Sequence, residues 1–129
     1  MDIIDKLSLK NQQKERELLI QKILSNYYSY NLEMFILPSH RKDCWPVCAD
    51  LLSRLPDEEF VKLLPKVLEW YQDRTWPGIF EIERRIFSLP LNTVIPICQE
   101  VYMRALREND TEWMYNLESV FGPDVMIKH

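Results

Sequence analysis

Glycine is nearly missing from this chain: only Gly78 and Gly122 occur in 129 residues. Tight β-turns draw on glycine for positive φ, so a sheet-rich fold fits poorly. Clustered glycines also build loops that cradle phosphates, and neither GxGxxG nor GxxxxGK(S/T) is present. Nucleotide-binding folds of those two kinds are excluded. Cysteine is sparse as well. Cys44, Cys48 and Cys98 make an odd number without framework spacing, the pattern of reduced thiols rather than of a disulfide scaffold. No apolar run approaches the ~18 residues of a membrane span. Met1-Asp2-Ile3-Ile4-Asp5-Lys6 carries acids where a secretory leader has bases, so a cytoplasmic setting is expected. Basic charge is short too: 16 Lys and Arg against 20 Asp and Glu leave a net charge of −4. Generic binding to a phosphate backbone needs the opposite balance.

What the chain has is apolar material and a repeat. A 47% hydrophobic and 12% aromatic content argues against disorder. At this length one compact domain buries roughly two thirds of its unfolded surface. Trp45-Pro46 returns 31 residues later as Trp76-Pro77, Arg54 as Arg85, Pro65 as Pro96, Glu69 as Glu100 and Tyr71 as Tyr102. Apolar positions carry over between them: Leu51 to Ile82, Leu55 to Ile86, and Leu63-Leu64 to Val94-Ile95. One supersecondary unit per period of this length marks a stacked repeat protein.

The periodicity is helical throughout. Residues 57–72 place Phe60, Leu64, Val67, Leu68 and Tyr71 on one stripe, with Asp57 as N-cap and Glu58 and Glu59 in the first turn. Residues 77–88 open on Pro77 and put Ile79, Ile82 and Ile86 inward, with Phe80 and Phe87 widening that face. Residues 91–107 give Val94, Cys98, Val101, Tyr102 and Ala105. A helix from Thr111, capped by Asp110, ends at Gly122-Pro123. Residues 9–28 read as a long helix with Leu18, Leu19, Ile23, Leu24 and Tyr27 inward. Pro65 and Pro96 fall mid-segment, where each either restarts or kinks a helix. Asp110-Thr111-Glu112-Trp113 parallels Asp73-Arg74-Thr75-Trp76 and Asp43-Cys44-Trp45 as a third start: an acid able to cap, then a tryptophan wedge. The fold class read from this is all-α, a short right-handed HEAT-like solenoid of antiparallel helix pairs over 37–129. Residues 1–36 are read as an N-terminal helical extension packed on it, the whole being one compact domain.

Leu37-Pro38-Ser39-His40-Arg41-Lys42-Asp43, then Leu68-Glu69-Trp70-Tyr71-Gln72-Asp73, Trp76-Pro77 and Asp110-Thr111-Glu112-Trp113-Met114-Tyr115 resemble the ordered signature of an uncharacterised bacterial all-helical HEAT-like domain family. Its EW-x-QD-x-x-WP core is the specific part, and the likeness spans about 37–121. Gly78 departs from the pattern, standing where an aliphatic residue is expected. The resemblance implies the fold and a bacterial cytosolic setting; by analogy it implies a role among proteins that neutralise toxins.

No constellation demands a chemistry, and neither catalytic, cofactor nor metal residues are expected. Trp45, Trp76 and Trp113 recur at the repeat spacing and read as packing wedges. Trp45, Pro46, Pro65, Glu69, Tyr71, Trp76, Pro77, Pro96, Glu100, Tyr102 and Trp113 are accordingly taken as structural repeat positions. Glu69 and Glu100 are the one pair of equivalent carboxylates, read as a solvated or salt-bridged face. His40, Cys44 and Cys48 have metal-like spacing, but Pro46 as helix start would break the i, i+4 geometry of the thiols. Arg84, Arg85, Arg104 and Arg107 are interspersed with Glu81, Glu83 and Glu100, a mixed surface. Acidity concentrates at the end: residues 108–129 carry −4, including Glu108, Asp110, Glu112 and Glu118, the residues expected to meet a partner. The function expected is a non-catalytic protein–protein interaction module, in its sharper form an immunity-type inhibitor of a basic toxin. The alternatives are a nucleic-acid-binding or base-processing helical-repeat protein, and a structural subunit dimerising through residues 1–36.

Overall fold

The computed structural model describes residues 3–7, 13–39 and 42–127, and all regular secondary structure among them is helical. Helix α1 spans Ile3–Leu7 and α2 Gln13–Ser25. Two 3-10 turns, Tyr27–Ser29 and Leu32–Phe35, and a third at Lys42–Cys44 lead into α3, Trp45–Ser53. Helix α4, Asp57–Val67, runs on as a 3-10 segment over Leu68–Gln72. Then come α5 (Ile79–Phe87), α6 (Leu91–Arg107), α7 (Thr111–Phe121) and α8 (Pro123–Ile127).

Helices about 31 residues apart in sequence touch. Helix α3 packs on α5 and α4 packs on α6, so equivalent elements lie side by side. Helix α7 packs on α6, α8 and the Leu68–Gln72 segment. All the expected stripe residues of α4 and α6 are buried, from Phe60 and Tyr71 to Val94 and Ala105. They join one continuous core that reaches from Ile4 and Leu7 of α1 to Met126 of α8.

Three local expectations change. In α2 Ile23 is buried and Leu19, Leu24 and Tyr27 pack against the core as expected, Ile20 joins them, and Leu18 alone of the expected set is 62% exposed. The helix ends at Ser25 rather than at 28, and residues 9–12 lie outside the described residues. In α5 the isoleucines go inward, but Phe80 is 76% and Phe87 50% exposed. At ~100° per residue they fall outside the Ile79–Ile82–Ile86 arc. The helix entrances also differ. Pro56, not Asp57, is the N-cap of α4, and Gly78 rather than an acid or Pro77 opens α5. Asp73 folds onto its own chain, accepting from the Thr75 N–H at 2.8 Å and its hydroxyl at 2.6 Å. Asp110 does cap, accepting from Trp113 N–H at 3.1 Å.

Both repeat prolines lie inside continuous helices. Pro65 comes two residues before α4 tightens into the 3-10 segment, and Pro96 is exposed in the second turn of α6.

Successive units are tied by equivalent side chains. At the end of α3, Arg54 reaches back to Glu17 of α2 (2.6 Å) and to Asp50 (2.8 Å). Its counterpart Arg85, at the end of α5, reaches back to Leu55 O (2.9 Å) and Asp57 (2.6 Å), over the Phe60 ring. Tyr71 donates its buried hydroxyl to Glu83 at 3.0 Å, and Tyr102 bonds Glu118.

Gly78 explains its own departure from the family pattern. Its φ is +94°, and an added Cβ would stand 2.9 Å from Ala49 Cβ and 3.0 Å from Trp45 O. Left-handed strain and overpacking at the α3–α5 contact combine, so Gly78→Ala is expected to lower stability by about 2–4 kcal/mol. Urea unfolding of the two proteins side by side measures the difference.

Candidate interaction surface

The wedge tryptophans meet at the junction between units. The Trp45 ring packs edge-on against Trp76 (5.3 Å) and Trp70 (6.2 Å). Trp70, which the repeat did not single out, is wholly buried and donates Nε1–H to Pro77 O at 2.8 Å. Trp113 is buried too, donates to Leu68 O at 3.1 Å, and has the Arg104 guanidinium 4.9 Å over its ring. No aromatic ladder is open to a ligand here.

The repeat carboxylates do not converge on a cleft. Glu69 is held by Arg104 at 3.0 Å, and Glu100 is exposed on α6. Arg104 also binds Glu108 at 3.3 Å. Of the four arginines in the second unit, Arg85 and Arg104 are consumed inside the fold, whereas Arg84 and Arg107 have no ion pair among the described residues. Much of the acidic end is committed likewise. Glu108 pairs with Arg104, Asp110 caps α7, and Glu118 bonds Tyr102. Glu112 alone of the four has no contact of this kind among the described residues.

Cys44 and Cys48 bring their sulfurs to 3.8 Å, both fully buried. Pro46 was expected to separate them. Instead Cys44 takes helical backbone angles as N-cap of α3 (φ −93°, ψ 0°), and the i, i+4 spacing survives. Burial pushes the Cys98 thiol up to about 12. Cys48 is raised as well, first by its hydrogen bond with Cys44 and then by burial. Among the described residues no three His, Cys, Asp or Glu side chains gather as a metal site would require. His40 lies outside the described residues.

A concavity lies where the sequence offered no signal. A groove of about 640 Å³ runs between α2, α3 and α5, lined by Lys14, Arg16, Glu17, Ile20, Pro46, Val47, Asp50, Glu81 and Arg84 among others. A smaller one of about 220 Å³ continues it along α3 and α5 past Ser53, Arg85 and Ser88, sharing Asp50, Glu81 and Arg84. Glu17 and Asp50 are neutralised by Arg54. Lys14, Glu81 and Arg84 remain without ion pairs among the described residues. One wall comes from α2, which lies outside the repeat, so the 31-residue period had no means of revealing it.

With this geometry in place, the chain is assigned to the domain of unknown function family DUF5071, whose model matches residues 36–129. It belongs to that family, and the matched region runs from just before α3 through α8. No curated protein and no solved structure matches the chain. No described helix is long and apolar enough to cross a membrane.

Two measurements check the groove wall and the thiols. Hydrogen bonds from Arg54, then from Gln21, hold the Glu17 carboxyl down at about 2. A depressed acid adds stability above its ordinary value near 4.5 and loses it as pH falls through about 2. Arg54→Ala is expected to return Glu17 toward the ordinary carboxylate range, read by NMR titration of its side-chain carboxyl carbon. The three buried thiols are expected to resist a thiol reagent in the folded protein and to react in step with urea unfolding. A rapidly reacting thiol without denaturant would contradict that burial.

Proposed function

We propose that this DUF5071 member is a non-catalytic protein–protein interaction module, a short right-handed HEAT-like stack of helix pairs that holds a segment of another protein in the α2–α3–α5 groove. The observation that carries this reading is the groove's lining. Apolar surface from Pro46 and Val47 lies beside charges without ion pairs among the described residues, Lys14, Glu81 and Arg84. A polypeptide offers side chains for each; a nucleic-acid backbone would find Glu81, Glu17 and Asp50 against it. The side-by-side packing of α3 with α5 and of α4 with α6 supports the stacked arrangement.

The narrower role is an immunity-type inhibitor of a basic bacterial toxin. It draws on the net charge of −4 and on Glu112, the acid of the C-terminal group left without an internal contact among the described residues. Long-range attraction of that kind raises the rate of encounter and fades with salt.

Affinity capture from the extract of the protein's own cells tests both levels. Lys14→Glu and Glu81→Lys are expected to weaken a captured complex at least about tenfold, while Lys62→Glu on α4 leaves it unchanged. Glu112→Lys is expected to slow association and flatten its salt dependence. If nothing is captured, or capture ignores the groove variants, the module reading falls. Fluorescence anisotropy showing DNA or RNA binding at low salt would move the assignment to a nucleic-acid protein.

A further inference from the structure

We propose that the outer crest of α5 is a self-association surface, covered by α5 of a second copy in an antiparallel pairing about a two-fold axis between Glu83 and Arg84. Phe80 and Phe87 stand seven residues apart, hence on one line of the helix, and are 76% and 50% exposed. Two large aromatic side chains on one crest are not what a solvated face presents. The flank of α5 toward α3 carries Glu81, Arg85 and Ser88, which line the small groove with Asp50 and Ser53; Arg84 stands at the border, lining that groove and edging the crest. The opposite flank meets Tyr71 through Glu83 and Phe121 through Phe87, whose rings stack at 5.7 Å. Helix α7 reaches the crest only at its end, where Phe121 stacks on Phe87, and leaves Phe80 uncovered. The bonds from Trp113 to Leu68 O and from Asn116 to Tyr71 O (2.7 Å) hold it on the 3-10 segment.

The charges on the crest are half used. Tyr71 and Arg74 both approach Oε1 of Glu83, at 3.0 and 3.8 Å. Its Oε2 has no partner among the described residues, and Arg84 has none at all. Read along the crest, Phe80, Glu83, Arg84 and Phe87 form a self-complementary order. An antiparallel second helix centred between residues 83 and 84 sets each Phe80 against the other copy's Phe87, and each Glu83 against the other copy's Arg84. A parallel pairing would oppose Arg84 to Arg84. An isologous interface requires a patch that complements itself; a foreign partner requires no such symmetry, which is why the occupant is a second copy. A single helix–helix contact belongs to the small end of interface sizes, below about 1,200 Å². The dimer is therefore reversible and its population follows concentration. This goes beyond the groove reading; the two surfaces meet at Arg84, while Glu81 on the α3 flank stays outside the pairing.

Sedimentation equilibrium over a dilution series tests the pairing. The weight-average mass is expected to climb with concentration from 15.6 kDa toward twice that value. Phe80→Lys and Arg84→Glu change exposed side chains, so each is expected to keep the wild-type melting temperature and weaken self-association at least about tenfold. Arg84→Cys, beside the axis, is expected to form a disulfide-linked dimer on oxidation, and Glu81→Cys, on the groove flank, is not. A mass that stays at 15.6 kDa into the millimolar range overturns the proposal. So does a mass that rises equally in Phe80→Lys, or cross-linking that is equal at both positions. Partner capture by Phe80→Lys separates this result from the groove reading, since Phe80 lines neither groove.

Discussion

Three tryptophan indoles pin this fold together, each donating its N–H to a backbone carbonyl in another part of the chain. Trp45 donates to Pro38 O at 2.9 Å, Trp70 to Pro77 O and Trp113 to Leu68 O. Each bond joins a helix to a turn elsewhere in the chain. A buried carbonyl with no donor costs about 1–3 kcal/mol, and tryptophan supplies the donor together with a large apolar body. The turns at Pro38, at Pro77-Gly78 and at the end of α4 are thereby placed by the same groups that fill the gaps between units. The α3–α5 and α6–α7 contacts, and with them the groove and the exposed crest of α5, depend on these anchors.

A second layer of ties consumes most of the polar side chains that look functional in isolation. Arg54 and Arg85 clamp the element before their own, and Arg104 takes Glu69 and Glu108 while stacking on Trp113. Tyr71, whose hydroxyl is raised mainly by burial, spends its proton on Glu83. Such pairs are partly exposed and individually weak, so their role is to orient neighbouring units more than to hold the fold. What remains unspent is informative for that reason. Lys14, Glu81 and Arg84 beside apolar groove residues, and Phe80 on the crest, are groups the fold itself does not need where they stand.

Much of the scaffold was legible one residue at a time. The stripe from Phe60 to Tyr71 and the one from Val94 to Ala105 are buried as their helical spacing requires, and Asp110 caps the helix it precedes. The expectations that changed share a cause. Phe80, Phe87 and Leu18 are apolar and lie near their stripes, yet an arc a few tens of degrees wide decides burial, and composition does not resolve it. Asp73 has the residue type of a cap but closes a turn with Thr75 instead, because local side-chain bonds compete with helix capping. Cys44 and Cys48 meet because the residue before a helix can itself be helical, a backbone fact without a sequence signature.

By itself the sequence determined the helical class and most of the core, because near-absence of glycine and 3.6-residue periodicity are local properties of the chain. Family membership over residues 36–129 is likewise written in those residues. Only the tertiary structure decided which charges are spent and which are free. It also decided that α2, outside the repeat, closes one side of a groove and that α7 meets the crest of α5 only through Phe121. Those outcomes depend on contacts between residues tens of positions apart, and no window along the chain holds both partners.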